Sequence, residues 1–171
     1  MTIKITERLS LRKIHTNDAP FILDLYNQAA FKQFIGDRGV HGIKAASAFI
    51  QKTQKHYQDY GFWLYIVEER TSGNPVGVNG LVKRDYLDAP DIGFAISDKY
   101  WGQGYAYESG LAVIDHAIQL KLTEILAITS KDNVSSIGLL SKLGFVDKGQ
   151  IVTPDTDETV NLYRKFLIHE S

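Results

Sequence analysis

Cysteine is absent from this chain of 171 residues, so disulfide bonds, thiolate metal ligands and a cysteinyl acyl intermediate are excluded. An excess of charge of either sign is also absent, because 19 Lys and Arg residues stand against 20 Asp and Glu residues. The chain therefore has no overall basic field that would attract nucleic acid or an anionic membrane. No apolar run approaches the roughly 20 residues that span a bilayer, and residues 1–13 lack the apolar core of a signal peptide. We expect a cytoplasmic protein that binds neither nucleic acid nor a membrane.

Metal-ligand spacing is missing among the histidines. The five histidines are scattered along the chain: His15, His41, His56, His116 and His169. No two of them stand four residues apart, as the paired ligands on one face of a metal-binding helix do. We expect no metal site, and the mid-helix position of His116 favours a surface or packing role.

The composition is that of an ordinary globular protein, with 44% hydrophobic and 23% charged residues. The length fits one compact domain, and neither an internal repeat nor a linker divides the chain. We therefore expect a single domain over residues 1–171.

The periodicity of the apolar residues predicts an α/β fold of the α+β type. Residues 5–14 are expected to form a first strand, and residues 62–83 are expected to form a hairpin around the turn cluster at residues 71–75. Asn17–Pro20 marks the start of one helix, and a second helix is expected over residues 44–57. The residues expected on the buried faces of these two helices are Ile22, Leu25, Tyr26, Ala29, Ala45, Ala48, Phe49 and Tyr57.

A strand–helix–strand unit follows. Residues 91–96 alternate as in a strand, the apolar spacing over residues 106–120 is helical, and residues 124–129 form a short strand that is apolar on both faces. This connection predicts one parallel crossover. A further helix begins near Asn133 and ends at Gly144, and two strands complete the chain. The whole pattern predicts a mixed, largely antiparallel sheet of about seven strands flanked by about four helices.

The segment Tyr100–Ala106 lies between a predicted strand and a predicted helix. Its two glycines allow a tight turn, and the helix that follows presents unpaired N–H groups with a partial positive charge. Such an arrangement holds phosphate without Lys or Arg, although an ordinary strand-to-helix turn has the same glycines. The Gly-Lys-Ser/Thr of a P-loop is missing, and Tyr107 stands where a dinucleotide-binding fingerprint needs its third glycine.

Four segments together resemble the GNAT superfamily of acetyl-CoA-dependent N-acetyltransferases. They are residues 91–94, the loop at residues 100–106, the run Asn133–Ser136, and the run Lys142–Phe145. The opening Thr6–Arg12 resembles the branch that contains the ribosomal-protein N-terminal acetyltransferases. The resemblance extends over residues 6–168 and implies the GNAT fold.

The resemblance also implies how acetyl-CoA binds. The family loop begins with Arg or Gln where this chain has Trp101, and its pyrophosphate is held mainly by backbone amides. Trp101, Gly102, Gln103, Gly104, Tyr105 and Ala106 are therefore the expected phosphate site. Phe94, Ala95 and Ile96 occupy the strand whose backbone pairs with the pantetheine arm. Asn133 aligns with an asparagine that bonds the same arm, although capping the following helix is an alternative role.

The implied acid–base residues are Asp91 and Ser136. Asp91 aligns with a general base of some members of the branch, and its alternative is a carboxylate at a strand start that faces solvent. Many GNAT enzymes use a tyrosine as general acid, and Leu140 occupies that position here. Ser136 is the substitute found in the branch, although a first-turn serine also bonds backbone. The residues that the resemblance places in loops lining the acceptor groove are Phe31, Phe34, Ile35 and Tyr86, although apolar packing under those loops explains them equally well.

These features lead us to expect an enzyme that transfers an acetyl group from acetyl-CoA directly to a primary amine. The acceptor is either a protein N-terminus or a small-molecule amine, and the enzyme is a monomer or a homodimer. A non-catalytic acetyl-CoA sensor is the alternative, because Leu140 removes the usual acid.

Overall fold

The computed structural model describes residues 1–168, and His169 lies outside them. Eight strands form one sheet: β1 (Thr2–Ile5), β2 (Leu9–Lys13), β3 (Leu64–Glu69), β4 (Pro75–Val82), β5 (Asp91–Ile96), β6 (Glu124–Thr129), β7 (Val146–Val152) and β8 (Thr159–Phe166). Five α-helices accompany it: α1 (Ala19–Tyr26), α2 (Ala29–Phe34), α3 (Ile43–Tyr60), α4 (Tyr105–Gln119) and α5 (Val134–Lys142).

The strands lie in the order β1-β2-β3-β4-β5-β6-β8-β7. Neighbouring strands are antiparallel except for β5 and β6, which are parallel and joined through α4. The mixed, largely antiparallel sheet and its one parallel crossover are thus confirmed. The sheet has one strand more than the sequence predicted, and there is one helix more.

The additional elements are short. The predicted strand over residues 5–14 corresponds to β2, and β1 precedes it as its hairpin partner. Thr6 donates its backbone N–H to the Leu9 carbonyl at 2.9 Å and closes the turn between the two strands. Helix α2 has six residues, too few to show a helical period. Phe31 and Phe34, expected in loops, lie on this helix. Ala29 begins it and is exposed, so its predicted place on the buried face of α1 was wrong.

Helix α3 buries Tyr57 as predicted and leaves Ala45 and Phe49 half-buried, but the rest of its buried face differs from the predicted one. Its buried residues are Ala46, Ile50, Thr53 and Tyr57, whereas Ala48 is exposed. Because several alanines lie close together here, the apolar pattern of the sequence does not show which face of α3 is buried. Tyr57 fixes the orientation, because its hydroxyl accepts a hydrogen bond from the Ile14 backbone N–H and donates one to the Leu64 carbonyl.

Helices cover both faces of the sheet. On one face, α4 and α5 pack on strand residues such as Leu11, Val67 and Ile125. On the other face, α1, α2 and α3 pack around Ile66 and Val78. Because helices cover both faces of the sheet, the apolar strands in the middle of the chain are buried on both sides. The sheet therefore holds its central strands rigidly on either side of the β5–β6 junction.

Two helical glycines provide a matched test of this packing. A Cβ atom on Gly138 of α5 meets nothing within 4 Å, whereas one on Gly110 of α4 lies 2.9 Å from Cδ1 of the buried Leu143. Gly138→Ala should raise the free energy of unfolding by about 1 kcal/mol, because alanine favours a helix interior. Gly110→Ala gains the same propensity but overpacks Leu143 at a cost of about 1–3 kcal/mol, so it should lower or at best preserve stability. Chemical denaturation measures both, and equal stabilisation by the two changes would disprove a tight α4–α5 contact.

Candidate active site

The sheet opens between β5 and β6. These two strands pair only at Asp91 and Leu126, where the Leu126 backbone N–H donates to the Pro90 carbonyl at 2.9 Å. Beyond that point the strands diverge, although β5 stays paired with β4 along its length and β6 stays paired with β8. A cavity of about 1130 Å³ occupies the opening and extends to both sides of it.

The pairing of β5 with β4 determines which backbone groups face the opening. The Ser97 N–H donates to the Val76 carbonyl, so the alternation of an antiparallel ladder directs the backbone of Ala95 towards β4. The backbone of Phe94 and Ile96 then faces the β6 side. The Ile96 carbonyl accepts a hydrogen bond from Trp101 Nε1 at 2.7 Å. Phe94 therefore offers its N–H and C=O to an extended ligand arm, whereas Ala95 contributes only its side chain to the cavity wall.

The loop before α4 forms a concave row of amides. Gly102 and Gly104 both have φ of +79°, and Gly104 is the residue that precedes the helix. The N–H groups of residues 105–107 have no acceptor inside the helix, because the first helical bond runs from Glu108 N to Gly104 O. A side chain on Gly104 would adopt a strained backbone conformation beside this row. These donors fit a pyrophosphate group, and the cradle opens onto the cavity.

Two side chains and one backbone carbonyl of the loop make contacts with other parts of the chain. The Trp101 indole is bonded to the end of β5, as described above. The Tyr105 side chain is buried, and its hydroxyl donates to Glu69 Oε2 at 2.6 Å. The Gln103 carbonyl accepts a bond from Arg8 Nη1 at 2.8 Å. Tyr105 can therefore serve a phosphate group only through its backbone N–H, whereas the Trp101 N–H already donates to the Asp98 carbonyl at 3.2 Å.

Helix α5 begins beside the same opening. Asn133 caps it by accepting the Ser136 N–H on its side-chain Oδ1 at 3.2 Å, so the capping role is real. The Nδ2 group makes no hydrogen bond within residues 1–168, and Asn133 also lines the cavity. One atom can cap the helix while the other donates to a ligand. Ser136 lines the cavity half-exposed, and Leu140 lines it from a fully buried position.

Asp91 lies at the closed end of the opening, where β5 and β6 meet. Asp91 is 1% exposed, so the alternative that it is a solvent-facing carboxylate is wrong. Burial raises the pKa of Asp91 to about 6, and the positive charge of Arg84 limits the rise. Arg84 Nε donates to Asp91 Oδ1 at 3.0 Å. Sequence reasoning missed Arg84, because nothing in the pattern of a loop arginine signals a carboxylate seven residues later.

The opposite side of the cavity is aromatic. Phe31, Phe34, Ile35 and Tyr86 line it as expected, although the first two lie on α2. Tyr26 stacks on Phe31 with a centroid distance of 4.2 Å, which makes this part of the cavity wall rigid. Within residues 1–168 no group of three histidine or acidic side chains could hold a metal ion, and none of the helices is long and apolar enough to cross a membrane.

Comparisons with known proteins identify the family. The sequence profile of the acetyltransferase (GNAT) domain family matches residues 8–146, and the chain belongs to this family. An uncharacterized N-acetyltransferase of Bacillus subtilis named YoaA is 29% identical over 147 residues, which are 84% of this chain and 82% of that protein. The protein is therefore an acetyl-CoA-dependent N-acetyltransferase.

Solved structures share the fold. A ribosomal-protein-S5-alanine acetyltransferase from Vibrio fischeri is 18% identical and superposes with a TM-score of 0.80, covering 97% of this chain and 96% of its own. The ribosomal L7/L12 α-N-protein acetyltransferase RimL, solved in complex with coenzyme A, is 18% identical with a TM-score of 0.82, covering 98% of each chain. At these identities the likeness establishes a common GNAT fold.

Gly104→Val tests the amide cradle. The change forces a β-branched side chain into φ of +79° and puts its Cβ 3.4 Å from Arg8 Nη2, so the loop that carries the pyrophosphate amides must shift and acetyl-CoA affinity should fall by at least about tenfold while the protein stays folded. Gly73→Val is the matched control, because Gly73 has φ of +75° in the distant β3–β4 turn with open space around it. Thermal stabilisation by added acetyl-CoA measures binding. Equal ligand-induced stabilisation of both variants would place the phosphate site elsewhere.

Proposed function

We propose that residues 1–171 act as one domain that transfers the acetyl group to an amine at the closed end of the β5–β6 opening. The observation that carries this proposal is the continuity of one cavity from the Gly102–Ala106 amides past Phe94 to Asp91. Acetyl-CoA supplies a thioester carbonyl when it is bound. The chain holds its phosphates at the α4 amides and its extended arm at Phe94, with the Nδ2 of Asn133 as a further donor.

We propose Asp91 as the general base. An amine attacks a thioester only in its neutral form, so a group near the reaction must accept a proton. Arg84 holds one carboxylate oxygen of Asp91, and Oδ2 remains to accept the proton directly or through water. A carboxyl with a pKa of about 6 is ionised at neutral pH and is a stronger base than an exposed aspartate.

Asp91→Asn should lower the turnover rate by about 10²–10⁴-fold with acetyl-CoA affinity nearly unchanged. In the wild type, kcat/KM for the acceptor should rise as the pH passes through about 6, because the base must be ionised. The variant should lose this limb and keep the later limb that belongs to the amine itself. Asp37→Asn is the control, since Asp37 also lines the cavity but pairs with His41. A loss of less than a few-fold in Asp91→Asn at saturating substrates would remove Asp91 from the mechanism.

The raised pKa of Asp91 should also make the free energy of unfolding of the free enzyme depend on pH. The pKa of Asp91 in the folded state, about 6, lies above its ordinary value of 3.8, so folding is favoured when Asp91 is protonated. The contribution of Asp91 is fully present below pH 3.8 and is lost as the pH rises through about 6. Comparing the pH dependence of unfolding in the wild type and in Asp91→Asn isolates this contribution, and parallel curves would contradict it.

We propose that Ser136 protonates the departing sulfur, because Leu140 cannot. Ser136→Ala should reduce turnover by only about tenfold and leave acetyl-CoA affinity unchanged, since a CoA thiol is only moderately basic and can depart without an acid. Adding Leu140→Tyr to that variant should restore part of the turnover. The matched control is Leu140→Phe, which has the ring without the hydroxyl. Either ring overpacks a buried site by about 1–3 kcal/mol, so unfolding is measured alongside.

Rescue by tyrosine and not by phenylalanine would establish proton donation from this position. Equal rates for the folded Tyr and Phe double variants would mean that the residue at 140 does not act on the thioester. Wild-type turnover in Ser136→Ala alone would exclude Ser136.

We propose that the acceptor is a protein N-terminal amine or a small-molecule amine. The ribosomal-protein acetyltransferases that share the fold support the first choice, and the aromatic wall around Phe31 suits an uncharged side chain beside the amine. We further propose that the enzyme works in the cytoplasm as a monomer or homodimer, independently of nucleic acid, membranes and metal ions. An acetyl-CoA consumption screen across N-terminal peptides and small amines selects between the acceptor classes, and turnover with none of them would favour the sensor role.

A further inference from the structure

The turn between β1 and β2 touches the phosphate cradle although it is far away in the sequence. Arg8, at the end of this turn, donates from Nη1 to the Gln103 carbonyl at 2.8 Å and from Nε to Glu108 Oε1 at 2.7 Å. Its guanidinium also lies 4.8 Å from the centre of the Tyr105 ring. One side chain therefore contacts the loop, the first turn of α4 and the aromatic ring between them.

We infer that Arg8 is a positioning residue for acetyl-CoA, acting through the Gln103 carbonyl and the Glu108 carboxylate. In a trans peptide unit the C=O and the following N–H point in opposite directions, and the described chain has no cis peptide bond. When Arg8 draws the Gln103 carbonyl to itself, the Gly104 N–H is directed away from Arg8. Gly104 lines the cavity and Arg8 does not, so that N–H faces the phosphate position.

The second effect is electrostatic. Glu108 lies in the first turn of α4, where a carboxylate competes with a bound anion for the positive end of the helix. Arg8 neutralises it through its side chain and also donates its backbone N–H to Oε2 at 3.0 Å. Thr6 adds a hydroxyl donor to the same oxygen. Because Arg8 and Thr6 donate to its carboxylate, Glu108 leaves the α4 amides available to phosphate.

The turn that bears Arg8 is itself anchored. Arg70, directly after β3, donates from Nη1 to the Thr6 carbonyl at 2.8 Å and to the Glu7 carbonyl at 3.1 Å. Its backbone N–H donates to the Arg8 carbonyl at 2.9 Å. Among residues 1–168, Arg8 is the one cationic side chain that donates a hydrogen bond to the backbone of the 101–106 loop. Arg8 thus places a positive charge against the side of the loop that faces away from the cavity, whereas the Trp101 side chain carries no charge.

Arg8→Ala tests this inference, which rests on the proposed cofactor site. The dissociation constant of coenzyme A, measured by calorimetry without turnover, should rise about tenfold, because charge-assisted bonds from a partly exposed arginine are lost. The KM for acetyl-CoA should rise in parallel, whereas kcat and the KM for the acceptor should stay within about twofold. Arg8→Lys should recover part of the affinity, since one ammonium reaches only one of the two acceptors.

Lys55→Ala is the matched control. It breaks an exposed ion pair with Asp59 on α3, far from the loop, and should change neither affinity nor rate. Both alanine variants should lower the melting temperature of the free protein by no more than about 2–4 °C. Unchanged coenzyme A affinity in Arg8→Ala would overturn the inference. A general loss in kcat, both KM values and melting temperature would also overturn it, because that pattern belongs to a merely structural residue.

A double-mutant cycle with Glu108→Gln separates positioning from direct contact. If Arg8 acts through Glu108 and the loop, the two changes should be coupled, and Arg8→Ala should cost less affinity in the Glu108→Gln background. Additive effects would mean that Arg8 binds phosphate independently and would overturn the indirect role. Failure of the wild type to bind coenzyme A would instead refute the proposed cofactor site, so the two failures are distinguishable.

Discussion

The divergence of β5 from β6 is the constraint on which the site depends. Buried backbone groups in a folded chain almost always have partners, yet β5 gives up its partner strand one residue after Asp91. The loss is tolerable because the groups at Phe94 face a cavity in which a ligand arm can take the place of the strand. Both neighbouring pairs, β4 with β5 and β6 with β8, remain intact, so the opening is held rigidly from both sides.

The parallel arrangement of β5 and β6 has a second consequence. The loop after each strand leads into a helix, and the first turns of α4 and α5 both line the same cavity. Two positive helix ends therefore face one cavity, although the Ser136 N–H of α5 is already capped by Asn133. Asp91 marks the other end, where the strands are still paired and burial is most complete. The cavity thus has a polar mouth at the ends of two helices and a closed, weakly solvated end.

The sequence predicted the β5–α4–β6 unit because each part is long and periodic and the loop glycines mark the boundary. It also placed Asn133 and Gly144 at the two ends of α5, since capping is a local property. The β1–β2 hairpin and α2 were missed because each is too short to show a period. Arg84 and Arg8 were missed for another reason, since their roles depend on contacts that only the folded chain creates. Glu108 lies 100 residues from Arg8, and no local pattern indicates such a pair.

Leu140 determines how the chemistry is shared between the two sides of the opening. On the α5 side, a buried leucine and the half-exposed Ser136 provide at most one weak proton donor. On the β5 side, Asp91 has a pKa close to neutrality because it is buried, and Arg84 prevents a larger rise that would leave it protonated. In the mechanism proposed above, removing the amine proton is therefore the step for which this chain is best equipped. A site built in this way accelerates attack more than departure, because a thioester sulfur leaves readily once the amine has become neutral.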